Sequence, residues 1–102
     1  NENAWVRDNL VITYNAVIEN ATGTAFNDEI YGNVYGNTLR GGGGDDVMRG
    51  SEWADHNVFD NDIMYGGDGN DFMGGHNGND TMYGDAGDDS VIGDPGNDFL
   101  YG

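Results

Sequence analysis

The chain contains no cysteine, no lysine, a single proline and only three basic residues, Arg7, Arg40 and Arg49. Without cysteine, neither disulfide bonds nor thiolate metal sites are available. Without lysine, and with so few arginines, the chain cannot make the phosphate contacts on which nucleic-acid binding depends. An anionic membrane surface would repel it as well. Long apolar runs are also missing. None approaches the ~20 residues of a membrane span, so no membrane insertion is expected. The opening residues, Asn1-Glu2-Asn3-Ala4-Trp5, lack the basic segment and apolar core of a signal peptide. Hydrophobic residues make up 36% of the chain, which argues against an ordinary two-layer core.

What is present is glycine and acid. With 102 residues there is room for one small domain. Nineteen glycines beside one proline point to many tight turns rather than to collagen or a proline-rich linker. Nineteen acidic residues give a net charge of −16, and unscreened charge of that size opposes compaction. A cation must neutralise it if the chain is to fold.

The acids and glycines recur with a period. From Gly41 the chain reads GGGGDDVMR at 41–49, then GGDGNDFMG at 66–74, GHNGNDTMY at 75–83, GDAGDDSVI at 84–92 and GDPGNDFLY at 93–101. Two weaker units, GTAFNDEIY at 23–31 and GNVYGNTLR at 32–40, precede them. One expanded unit spans 50–65, its long turn covering 50–62. Position 6 of the units reads Asp28, Asn37, Asp46, Asp62, Asp71, Asp80, Asp89 and Asp98. Position 8 reads Ile30, Leu39, Met48, Met64, Met73, Met82, Val91 and Leu100. Every step is nine residues except one of sixteen at the expanded turn. A disordered glycine-rich linker has no reason to keep one apolar residue in every nine.

Each unit divides into a six-residue turn, rich in residues that tolerate positive φ, and a three-residue strand whose middle side chain points to one face. Strands so short hold only by stacking. Two units make a coil of eighteen residues, and stacked coils make an all-β, right-handed parallel β-roll, a solenoid with position 8 filling its core. Parallel strands lie about 4.8 Å apart, and a calcium–oxygen bond is about 2.3–2.6 Å. Aspartates at equivalent places in adjacent coils can therefore share one ion, with backbone carbonyls completing the six to eight oxygens calcium takes. The expected pairs are Asp28 with Asp46, Asp46 with Asp71 and Asp71 with Asp89 on one side. On the other they are Asp62 with Asp80 and Asp80 with Asp98, with Asn37 and Asp62 as a weaker site. About five or six calcium ions would bring roughly +10 to +12 against −16.

The units at 41–49 and 66–101 resemble the glycine- and aspartate-rich nonapeptide repeats of RTX proteins, over roughly residues 23–102. The resemblance implies a calcium-binding parallel β-roll, a secreted and extracellular location, and export by type I secretion with its signal at the extreme C-terminus. Gly102 falls in mid-pattern, so neither that signal nor the usual terminal cap is expected among these residues. The stretch from Val17 to Asn33 is similar to the lead-in to the β-roll of serralysin-type metalloproteases, yet no His-Glu-x-x-His is present. Asn37 in the aspartate column, Phe26 and Tyr35 at position 4 and the long turn depart from the pattern.

Residues 1–22 are expected to form an N-terminal strand or cap, with LVITYNAVI at 10–18 shielding the first coil. His56 and His76 read as solvated turn residues. Tyr31, Tyr65, Tyr83 and Tyr101 at position 9, with Phe72 and Phe99 at position 7, face outward. They read first as lateral packing and second as a surface for polysaccharide. Trp53 is expected to fold back over the roll, and Glu52, Asp55 and Asp60 are candidate ligands for an extra ion. No nucleophile–base set is visible, so the chain reads as a non-catalytic, monomeric module whose partners are calcium and an attached domain. It is expected to fold on calcium binding and to stabilise or chaperone that domain.

Overall fold

The computed structural model describes residues 10–11, 20–32, 36–50 and 60–102. Ten strands run in chain order: β1 (Leu10–Val11), β2 (Asn20–Thr22), β3 (Glu29–Tyr31), β4 (Thr38–Gly43), β5 (Val47–Arg49), β6 (Ile63–Asp68), β7 (Phe72–Gly74), β8 (Thr81–Ala86), β9 (Ser90–Ile92) and β10 (Phe99–Tyr101). They alternate between two sheets, ordered β1-β3-β5-β7-β9 and β2-β4-β6-β8-β10, and every pairing is parallel. No helix occurs among the described residues. The parallel β-roll anticipated from the nine-residue period is the architecture found.

The register follows the apolar column. In one sheet Ile30 stands opposite Met48, Met48 opposite Met73 and Met73 opposite Val91. In the other, Ala21, Leu39, Met64, Met82 and Leu100 are aligned rung by rung. Ile30, Leu39 and all four methionines are fully buried, and these side chains with Ala21 are the core. Such a thin core is filled by one residue per strand, which suits methionine's unbranched, adaptable side chain.

Three features differ from expectation. β4, β6 and β8 run for six residues, not three, because pairing continues through Gly42 opposite Gly67 and Gly67 opposite Asp85. The two sheets also begin ahead of the repeats. Leu10–Val11 pairs with β3, and Asn20–Thr22 pairs with β4, adding Ala21 to the core. Residues 1–9 and 12–19, the rest of the expected cap, lie outside the described residues. Finally, Leu100 is 47% exposed although it belongs to the core column, because β10 is the outermost strand of its sheet and, among the described residues, no further strand pairs with its free side.

Glycine at position 4 has a steric cause. Gly69, Gly78, Gly87 and Gly96 have φ from +128° to +142°, a region side chains rarely adopt. A Cβ at Gly87 would also collide with the carbonyl oxygen of Gly69, and one at Gly96 with that of Gly78.

Candidate metal centre

The turns stack as the strands do, in two columns. One column holds Asp28, Asp46, Asp71 and Asp89 at position 6. The other holds Asn37, Asp62, Asp80 and Asp98. Adjacent members are tied by a repeated hydrogen bond from the backbone N–H of one to the Oδ1 of the next. Asp28 donates to Asp46 at 2.8 Å, Asp46 to Asp71 at 2.8 Å and Asp71 to Asp89 at 2.9 Å. On the other side Asn37 donates to Asp62 at 2.7 Å, Asp62 to Asp80 at 2.8 Å and Asp80 to Asp98 at 2.8 Å. The same residues' carbonyls accept from the next rung, as when Phe72 N–H donates to Asp46 O at 2.8 Å and Thr81 N–H to Asp62 O at 2.8 Å. These bonds join the position-6 residues that the spacing paired, each through one residue's backbone N–H and the next residue's side chain.

Oδ1 is thereby used, and Oδ2 is left over. The Oδ2 atoms of Asp46, Asp62, Asp71, Asp80 and Asp89 are buried without any hydrogen-bond partner. Asp28 differs: its Oδ2 accepts from the Thr24 N–H at 2.7 Å and from the Thr24 hydroxyl at 3.0 Å, so its own turn already occupies it. A buried carboxylate oxygen with no partner is costly, because water has been removed and nothing replaces it. A cation fits that role, since several such oxygens are aligned and, among the described residues, no basic side chain joins them.

The surroundings of these oxygens suit a hard cation. Asp71 Oδ2 and the carbonyl of Gly84 face the Cα of Gly66 so closely that a Cβ there would lie 2.5 and 2.6 Å from them. The same coincidence of a position-6 Oδ2 with a position-1 carbonyl recurs at Gly23, Gly41, Gly50 and Gly75. Each gap thus offers carboxylate and carbonyl oxygen, the donors calcium takes, where zinc prefers thiolate and imidazole. Among the described residues, no three carboxylate or imidazole side chains form a group able to hold an ion by themselves. Carbonyls are therefore required to complete a shell.

Electrostatics agree with the geometry. Burial pushes the Asp62 carboxyl up to about 8, against the N–H of Asn37 that lowers it, with Asp60 and Asp80 raising it further. Burial likewise lifts Asp80 to about 7 and Asp46 to about 6, and raises Asp71 and Asp60. With no cation, Asp62 and Asp80 keep a share of their protons near neutrality. A divalent ion would take the protons' place and supply the charge they lack.

A second column was not anticipated. At position 5, Asn27 Oδ1 accepts from Asp45 N–H at 2.8 Å, Asp45 Oδ1 from Asn70 N–H at 2.9 Å and Asn70 Oδ1 from Asp88 N–H at 2.9 Å. Asn61, Asn79 and Asn97 do the same on the other side. Here the later rung donates to the earlier, opposite to position 6, so each junction except that of Asn37 with Asp62, where Gly36 has no side chain, is clasped in both directions. The signal was available in the sequence: position 5 is Asn or Asp in every unit except at Gly36.

The remaining candidates resolve as follows. His76 is half-buried rather than solvated. Its turn folds against a hollow lined by Arg49, Phe72, Gly74 and Ile92, its Nε2 is sealed without a partner, and burial lowers its pKa. Tyr65, Tyr83 and Tyr101 form a continuous stack, with centroids 5.0 and 4.8 Å apart and rings within 7° of parallel. Arg40 covers the other face of Tyr65 at 4.3 Å. His56, Trp53, Glu52 and Asp55 lie outside the described residues.

Compared with known families, the sequence matches the model described as RTX calcium-binding nonapeptide repeat, in four copies, over residues 22–52, 59–82 and 74–102. Neither the curated proteins nor the solved structures contain a match.

Proposed function

The chain belongs to the RTX family of calcium-binding nonapeptide repeats, and from that premise we propose that it is a secreted module that folds when it meets extracellular calcium. Its repeats are calcium-binding and themselves non-catalytic. The observation that carries the proposal is the register of buried, partnerless Oδ2 atoms on Asp46, Asp62, Asp71, Asp80 and Asp89. Five such oxygens in two columns make the ion-free roll expensive, and each ion supplied converts binding free energy into folding free energy. Asp28, Asp46, Asp62, Asp71, Asp80, Asp89 and Asp98 are the proposed carboxylate ligands, with Asn37 contributing its neutral oxygen. Five or so ions offset most of the charge of −16.

Extracellular modules hold calcium at about 10⁻⁴–10⁻³ M, so resting cytosol leaves such sites empty. The chain then stays extended for type I export and orders outside, where it stabilises a domain carried on the same polypeptide. A secreted metalloprotease is the parent that the lead-in at Val17–Asn33 favours. Far-UV circular dichroism in EGTA and then in millimolar calcium tests the proposal. A coil-to-β transition on adding calcium is expected; a β spectrum already present in EGTA at neutral pH contradicts it.

The tyrosine geometry weighs against a polysaccharide platform. Sugars stack on open ring faces, whereas Tyr65 and Tyr83 have both faces covered by their neighbours in the column. Lateral packing accounts for them.

A further inference from the structure

The expanded turn returns to the pattern at Asp60, Asn61 and Asp62, which places Asp60 at position 4. The other units have Gly, Phe or Tyr there. The stacking confirms the placement: a Cβ on Gly78, position 4 of the next rung, would collide with the carbonyl oxygen of Asp60. An acidic side chain has thus replaced a residue type that carries no charge. It does not turn out to water. Asp60 is only 9% exposed, and its Oδ2 is buried with no hydrogen-bond partner. Two neighbours share that condition: Asp62 and Asp80, 1% and 0% exposed, each with its own partnerless Oδ2. The charge of Asp60 bears on both of them.

We propose that Asp60 is a third carboxylate for the ion held between the expanded turn and the turn at 75–80, making the Asp62–Asp80 gap the tightest calcium site of the roll. This rests on the calcium reading given above. The other gaps offer two position-6 side chains. Here a third carboxyl, already desolvated, lies near enough for its charge to bear on both Asp62 and Asp80, and calcium affinity rises with the number of charged ligands. The three carboxylates do not meet around one point as they stand. Rotation of the short Asp60 side chain brings its free Oδ2 in as the ion enters. The long turn therefore does more than bridge two strands: it replaces a turn glycine with a ligand.

The test is calorimetric titration of the whole 102-residue chain with calcium alone, for the wild type, Asp60→Asn and Asp68→Asn. Asp60→Asn keeps the shape and removes the charge. Asp68→Asn removes a charge of the same kind from an exposed residue at the end of β6. The expected result is loss of the tightest binding step, or at least about a tenfold weakening of it, in Asp60→Asn only. Circular dichroism at saturating calcium reports whether each variant still forms the roll. If the wild type binds no calcium, the calcium reading itself fails. If the wild type binds and Asp60→Asn gives the same isotherm, or Asp68→Asn weakens the first step equally, Asp60 is not a ligand and only this inference is overturned.

Discussion

Asp46 and Asp71 lie 25 residues apart in sequence, yet the backbone N–H of the first donates to Oδ1 of the second at 2.8 Å, while Oδ2 of both stays buried and unpaired. One carboxylate therefore has two duties. Its first oxygen sets the register of the coil below, and its second is the one proposed to meet a cation.

The two duties separate by mutation at Asp71. Asp71→Asn keeps an oxygen to accept the Asp46 N–H but removes the charge. It should raise the calcium concentration needed for folding while leaving the saturated β spectrum intact. Asp71→Ala also orphans a buried N–H, adding a loss of about 1–3 kcal/mol. Thermal melts at saturating calcium should therefore rank wild type above Asn and Asn above Ala. Equal melting of the two variants would show that the hydrogen bond contributes nothing.

Acidity should act in opposite senses with and without calcium. Asp46, Asp80 and Asp62 have folded values of about 6, 7 and 8, above the ordinary 3.8. The folded, ion-free chain then binds more protons than the unfolded one at any pH between 3.8 and those values. Its stability is greatest below about pH 3.8 and is lost as the pH climbs through 6 to 8. In EGTA, more β structure is expected at pH 4 than at pH 8. With calcium present, protons compete for the same oxygens, so the folding midpoint should move to lower calcium as the pH rises from 6 to 8. A midpoint that does not move over that range contradicts the assignment.

The methionine column is expected to be sensitive to volume rather than to chemistry. Met73 is 0% exposed between Met48 and Val91. Met73→Ala leaves a cavity and should cost about 2–5 kcal/mol. Met73→Leu, nearly isosteric, should cost less than about 1.5 kcal/mol. Calcium-saturated thermal unfolding distinguishes them.

Tyr83 sits between two rings, Tyr101 beneath only one. At about 0.5–1.5 kcal/mol per stacked pair, Tyr83→Ala should lose roughly twice what Tyr101→Ala loses from stacking. Neither change should alter the number of calcium ions bound. Near-UV circular dichroism and calorimetry together report both quantities. A fall in stoichiometry would tie the tyrosines to the metal sites instead of to the sheet.

Much of this arrangement was legible because a nine-residue period fixes which side chains share a column. The positions of Asp71 and Met73 follow from counting, and so do the pairs they form. What counting does not reveal is which backbone group each side chain meets. The position-5 ladder of Asn27, Asp45 and Asn70 went unread because its residues looked like generic turn formers, and their role depends on the N–H of the next coil. Ala21 was missed because Asn20–Thr22 carries the strand without a preceding glycine turn. Leu100 was misplaced because a column predicts facing direction, and burial also needs a neighbour above. Asp60 was read only as one of three candidate acids in the long turn, and its burial is what singles it out.

The sixteen-residue step leaves no trace in the sheets: Leu39 meets Met64 across it as squarely as Met64 meets Met82 across an ordinary one. The rungs are consequently indexed by where a turn leaves and re-enters the sheets, at Gly50 and Asp60, and not by the number of residues spent between them.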